Sequence, residues 1–217
     1  MTKKNRKFSV SDYNKSRDDY TQSWKAIDET FYRLCRDHPR HDERPWVNAK
    51  ILIIGRTYAT GIERKVPTTG AQGSSISQVA TFFFTRREEL DQWFARLTKV
   101  SEPLTTSNVQ EILTVHGLIL ERLKEITRNR QVARSFVSKY LHFHNPAVPI
   151  YDSVASASLR NLVPLRSIRG FQIAPAEHAD SEYADYVRRF TSLYQHIAAQ
   201  GLAVTVRALD SYLIWNG

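Results

Sequence analysis

Through most of this chain apolar residues recur three and four positions apart, the interval that lays them along one face of an α-helix. Tyr20, Trp24, Ile27, Phe31 and Leu34 do so between residues 11 and 36. Leu90, Trp93, Phe94 and Leu97 repeat the pattern between Arg86 and Val100. Val109, Ile112, Leu113, Leu120 and Leu123 do the same in a segment that Thr106 or Ser107 can cap and that reaches Ile126. Further helices are expected from Ile76 to Phe84, Arg130 to His144, Asp152 through Leu162, Asp180 to Gln200 and Val204 to Trp215. No alternating pattern is strong enough to support a sheet. The run Ile51-Leu52-Ile53-Ile54 suits a strand or a helix, but a lone strand has no partner, so Trp46 to Gly55 is expected to be helical. The fold class is therefore all-α: a compact multi-helix domain over residues 11–217, which two lobes around a cleft would also satisfy, behind a basic flexible N-terminus at 1–10.

Breaks in the pattern mark the connections. His38 to Pro45 is a polar turn, Arg56 to Ser77 a long loop rich in Gly, Thr and Ser, and Pro164 to Pro175 an irregular stretch. Loops as long as 56–77 are often functional in compact domains.

Charge narrows the class of partner. Lys and Arg number 31 against 22 Asp and Glu, a formal charge of +9, which draws polyanions at long range. A nucleic acid, double-stranded DNA in particular, is the expected partner. The single Cys35 excludes an internal disulfide and any four-cysteine metal site, and its setting beside Phe31 and Leu34 reads as a small buried hydrophobe. No apolar stretch approaches the roughly 18–20 residues that cross a bilayer, and the basic Met1–Lys7 does not lead into a signal-peptide core. A soluble cytoplasmic setting without membrane contact is expected. No cofactor is implied. The pairs His38/His41 and His142/His144 lack the supporting carboxylates of a metal site, so none is expected.

The densest chemical signal lies between Ser135 and Ser153. Lys139 sits on an otherwise apolar helix, Asn145-Pro146 and Pro149 break it, and Asp152 opens the next helix. This order, lysine helix, short break, then Pro149-Ile150-Tyr151-Asp152, resembles the helix-hairpin-helix DNA glycosylases, in particular their 8-oxoguanine glycosylase-like branch. The resemblance covers about 25 residues and extends to Val154 and Arg160. It implies a base-excision enzyme with abasic-site lyase activity, in which Lys139 attacks C1′ of an extruded nucleotide and Asp152 moves protons and stabilises positive charge on the sugar. Attack requires an uncharged amine, which the apolar helix and cations such as Arg134 would favour. Ser138 precedes the lysine, and Tyr140, His142, Phe143 and Tyr151 are candidates for stacking on the substrate.

A second cluster, Gly55 to Lys65, carries Arg56, Tyr58, Arg64 and Lys65, donors for phosphate oxygens and a ring for a base or sugar. Arg166 and Arg169 form a short basic loop of similar promise. Two other functions fit the same residues: a non-enzymatic DNA- or RNA-binding protein that keeps the basic face, and a nuclease-type effector using His142, Arg56 and Arg64.

Overall fold

The computed structural model describes residues 7–68, 74–164, 168 and 176–217. Among them are eleven α-helices and no strand. In chain order they are α1 (Val10–Ser23), α2 (Lys25–Asp37), α3 (Arg44–Leu52), α4 (Ile62–Lys65), α5 (Ser75–Thr85), α6 (Arg87–Leu97), α7 (Thr106–Leu123), α8 (Arg134–His144), α9 (Ser153–Leu162), α10 (Ser181–Ala198) and α11 (Val206–Trp215). Side chains that favour non-helical backbone mark the starts. Ser9, Ser74, Thr105, Asp152, Asp180 and Thr205 each accept a hydrogen bond from a first-turn amide, satisfying donors that a helix leaves open at its N-terminus. Gly201, at a φ of +75° that favours glycine, follows α10.

Helix α8 runs through the middle. Its eight consecutive residues from Phe136 to Phe143 are all buried, with α2 and α7 packed against it. Around it α3 lies on α5, α6 on α7, and α1 and α9 on α11. Phe31, Tyr58 and Phe143 form one aromatic knot, with Phe143 at 4.5 Å from Phe31 and 4.8 Å from Tyr58 by ring centroids. Phe83, Phe136 and Tyr140 form another, Phe83 and Tyr140 lying 5.0 Å apart. Burying each such side chain contributes roughly 1.5–3 kcal/mol.

Three expectations need correction. The helix over 11–36 is interrupted at Trp24 (φ −121°, ψ −24°), and the expected stripe faces inward only in part: Phe31 is buried and Tyr20 and Leu34 are half-buried. Trp24 and Ile27 are 41% and 43% exposed, whereas Asp28 is fully buried. A charged residue takes the inward position because two hydroxyls and a guanidinium meet it there. Next, 56–77 is not a continuous loop: a π-helical turn (Ile53–Thr57) extends α3, and α4 follows. Buried Ile62 and Val66 anchor it, while Lys65 Nζ donates to Val132 O (2.6 Å) and Ser75 Oγ to Val66 O (2.8 Å). Finally, α8 starts at Arg134 rather than Arg130, behind a short 3-10 turn (Arg128–Arg130) in which Asn129 and Arg130 take positive φ.

Three histidines, His41, His116 and His142, are fully buried, and His144 is half-buried. Burial pushes the imidazole of each below its ordinary value, His142 to about 4 and His116 to about 3. In the unfolded chain they titrate near 6.5, so their contribution to stability is complete above about pH 6.5 and is lost as pH falls towards the folded values. Buried Asp210 acts in the opposite sense. Burial raises its carboxyl to about 6, so its contribution is complete below about pH 4 and fades as pH rises through 6. Burial also raises the Glu102 carboxyl, which acts in the same sense as Asp210, and the four histidines outweigh these two. The melting temperature is expected to fall steadily between pH 6.5 and 4, and a calorimetric series that stays flat or rises across this window would refute the balance.

Candidate functional site

Asn145 ends α8 and ties the following turn to α6, its side-chain amide donating to the carbonyls of Leu97 (2.6 Å) and Val100 (2.9 Å). The chain then doubles back. Tyr183 on α10 donates its hydroxyl to Pro149 O (2.7 Å), and Ser138 Oγ accepts from Tyr151 N (2.9 Å). These bonds deliver Asp152 beside α8. Its Oδ1 accepts from Val154 N at 2.9 Å, capping α9, and this leaves Oδ2 at 3.3 Å from Lys139 Nζ. The same amine donates to Tyr58 O at 3.0 Å. Asp152 is thus a helix cap and the partner of the lysine at once. The Lys139 side chain is 10% exposed and that of Asp152 26%, and Lys139 lines an opening to solvent.

That opening is a cavity of about 380 Å³. Tyr20 and Trp24 at the end of α1, Tyr58 on the turn after α3, and Ile214 and Trp215 on α11 supply its apolar walls, with Lys139 among the lining groups. Trp24, Ile214 and Trp215 are partly exposed at 41%, 46% and 48%. Tyr58 is held against Trp24, Phe31 and Phe143.

Behind the walls lies a charge network. Asp28 accepts from Tyr58 Oη (2.7 Å), Tyr20 Oη (2.9 Å) and Arg207 Nε (2.6 Å). Arg207 also pairs with Asp210 Oδ2 and lies over the Tyr20 ring, 4.7 Å from its centroid. Burial works against the Arg207 charge, but the two carboxylates outweigh it and raise its pKa. Burial also raises the hydroxyls of Tyr58 and Tyr20, the latter to about 12. Asp28, Arg207 and Asp210 were not foreseen from sequence. Their signal was a charge inside an apolar stripe: Asp28 between Ile27 and Phe31, and Asp210 between Leu209 and Tyr212.

The other expected site residues divide. Tyr58 lines the cavity and contributes its carbonyl to Lys139. Arg64 is exposed, and Arg56 is exposed with Glu63 at 3.1 Å. Lys65 is committed to Val132 O. Tyr151 is half-buried and donates to Glu182. Arg166 and Arg169 lie outside the described residues.

Several candidates are corrected by their surroundings. Arg134 does not bring an unbalanced positive charge to Lys139, because Asp180 (3.0 Å) and Glu182 (2.9 Å) neutralise it. Ser138 is fully buried and serves the 149–152 turn. Tyr140 and Phe143 belong to the core and cannot stack on a substrate. His142 is also fully buried: its Nδ1 donates to Val148 O (2.8 Å) and its Nε2 accepts from Tyr32 Oη. An imidazole so enclosed reaches no RNA, which removes the nuclease reading that relied on it. His41 is bonded to Asp91 Oδ1 (2.6 Å) and Tyr140 Oη (2.9 Å) within the core. Among the described residues no group of His, Cys, Asp and Glu is placed to hold a metal, and no helix is long and apolar enough to cross a membrane. Cys35 is buried, its thiol pushed up to about 12 by desolvation.

No family model matches this sequence, and no curated protein or solved structure matches the chain.

The network behind the cavity makes a direct prediction. Asp28→Ala strips Arg207 of one of its two carboxylates and leaves the Tyr20 and Tyr58 hydroxyls without their acceptor. Breaking a buried pair on one side costs about 3–5 kcal/mol. Urea unfolding of this variant should show a loss of that size, and a loss under about 1 kcal/mol would mean that the network is not holding the wall together.

Proposed function

We propose that this protein is a DNA glycosylase-like base-excision enzyme with abasic-site lyase activity, in which Lys139 is the nucleophile and Asp152 its proton partner. The observation that carries the reading is the 3.3 Å approach of Asp152 Oδ2 to the Nζ of Lys139, a residue that lines a cavity open to solvent. Cavities of about 300–1,000 Å³ suit small-molecule ligands, and an extruded nucleotide needs both an apolar slot for its base and a nucleophile at its sugar.

The ammonium passes a proton to Asp152, and the neutral amine attacks C1′. The bond from C1′ to the base nitrogen breaks, and the base leaves with the electron pair and takes up a proton. Loss of the remaining amine proton and opening of the sugar ring at O4′, which gains a proton, yield an imine between Nζ and C1′. At an abasic site, which is already an aldehyde in its open form, the amine adds to C1′ and water leaves to give the same imine. The second N–H···O bond of Nζ, to Tyr58 O, aims the amine; orientation of this kind lowers the barrier by prepaid entropy. The positive balance of the chain, +9, and the exposed Arg64 supply attraction to the phosphate backbone.

Borohydride reduces such an imine to a stable secondary amine. Incubation with abasic duplex DNA and borohydride is therefore expected to give a covalent adduct with the unaltered protein and none with Lys139→Ala, while Asp152→Asn slows trapping by about 10²–10⁴-fold. Circular dichroism of both variants establishes that they are folded. Salt-sensitive DNA binding without any adduct would reject the enzyme in favour of a binding protein, a reading supported by the fact that both partners of the Lys139 amine are already in place. Absence of both adduct and binding would reject the nucleic-acid partner as well.

A further inference from the structure

One residue that lines the cavity carries a polar atom the rest of the structure leaves unpartnered. Asp210 on α11 is 1% exposed and lines the cavity. Its Oδ2 is held by Arg207, whereas its Oδ1 is buried with no hydrogen-bond partner. A carboxylate oxygen left so costs stability, by about 1–3 kcal/mol or more, and native proteins rarely keep one without a use. Its surroundings are the aromatic residues already described: Trp24, Tyr58 and Trp215 bound the same cavity. Flat apolar walls select a flat ligand, and a buried acceptor among them selects a ligand that brings a hydrogen-bond donor.

We infer that this cavity takes a planar nitrogen heterocycle of the nucleobase class through an N–H on its edge, which Asp210 Oδ1 accepts while the aromatic walls cover the ring. The inference rests on the proposed site but not on its chemistry, since it requires no bond to Lys139. Arg207 sets the orientation of the acceptor: by occupying Oδ2 it leaves one oxygen, so a single N–H is read. Lone carbonyl edges are rejected, because two acceptors would then face each other. With burial raising the carboxyl to about 6, Asp210 is an ionised acceptor at pH 8.

Tryptophan fluorescence reads this directly, because Trp24 and Trp215 both line the cavity. The full chain is titrated at pH 8 with guanosine, cytidine, adenosine and uridine, and with the analogue of each in which every edge N–H is replaced by N-methyl. At least one ordinary nucleoside is expected to give saturable quenching, with its methylated analogue about tenfold weaker or more. In Asp210→Asn the amide oxygen can accept from Arg207 and turn the NH₂ towards the ligand, so the preference for the unmethylated form should disappear. Equal affinity for each pair in the unaltered protein, or no quenching by any nucleoside, overturns the inference; so does a folded Asp210→Asn that discriminates as before. The methylated pairs decide the matter in the unaltered protein even if that variant does not fold. Abasic DNA carries no base at the reacting sugar, so trapping without nucleoside discrimination defeats this inference alone. Discrimination without trapping defeats the enzymatic reading alone.

Discussion

Helix α8 is buried around its whole circumference from Phe136 to Phe143, so every polar group it carries must find its partner inside the protein. That constraint organises the surrounding structure. Ser138 takes the amide of Tyr151, His142 bridges Val148 O and Tyr32 Oη, and Lys139 reaches Asp152 and the Tyr58 carbonyl. Each bond draws a different segment against the helix, and together they fold the 145–152 turn back along it. The lysine differs from its neighbours in one respect: it lines a cavity, as its partner Tyr58 does, so the amine retains a route to a ligand.

The same economy operates one layer away, where Arg207 joins Asp28 and Asp210. Three charged groups survive in a nearly dry setting because their hydrogen bonds supply what water would. Two tyrosine hydroxyls on Asp28 convert this network into a wall, since the rings of Tyr20 and Tyr58 line the cavity. Electrostatics thereby fixes the shape of an apolar surface. Asp210 is the one member with an unpaired oxygen, and the residue lines the same cavity as Lys139.

Some of this was legible in the chain and some was not. The caps at Asp152 and Asp180 and the breaks at Asn145 and Gly201 act locally, so the sequence reports them well. The approach of Lys139 to Asp152 was anticipated because a short turn between two helices leaves few ways to separate its ends. The roles of His142, Ser138 and Arg134 were misjudged for a common reason: each meets partners from elsewhere in the chain, such as Tyr32 or Asp180, that no local pattern announces. The stripe of Trp24 and Ile27 failed differently. Periodicity identifies a face, but with the helix broken at Trp24 that residue and Ile27 are exposed while Phe31 stays buried, and the Asp28 carboxylate is buried beside it.

By itself the sequence determined an all-helical chain with its starts and stops, a positive balance of charge, and an amine and a carboxylate on either side of the break between two helices. Helix period and capping depend on neighbours along the chain, which is why they could be read there. Only the tertiary structure decided that α8 would be enclosed, that Trp24 and Trp215 would meet Tyr58 around an opening, and that Arg207 would leave one oxygen of Asp210 unpaired. Those outcomes depend on residues nearly two hundred positions apart, as Asp28 and Arg207 are (|i−j| = 179), and packing alone brings such groups together.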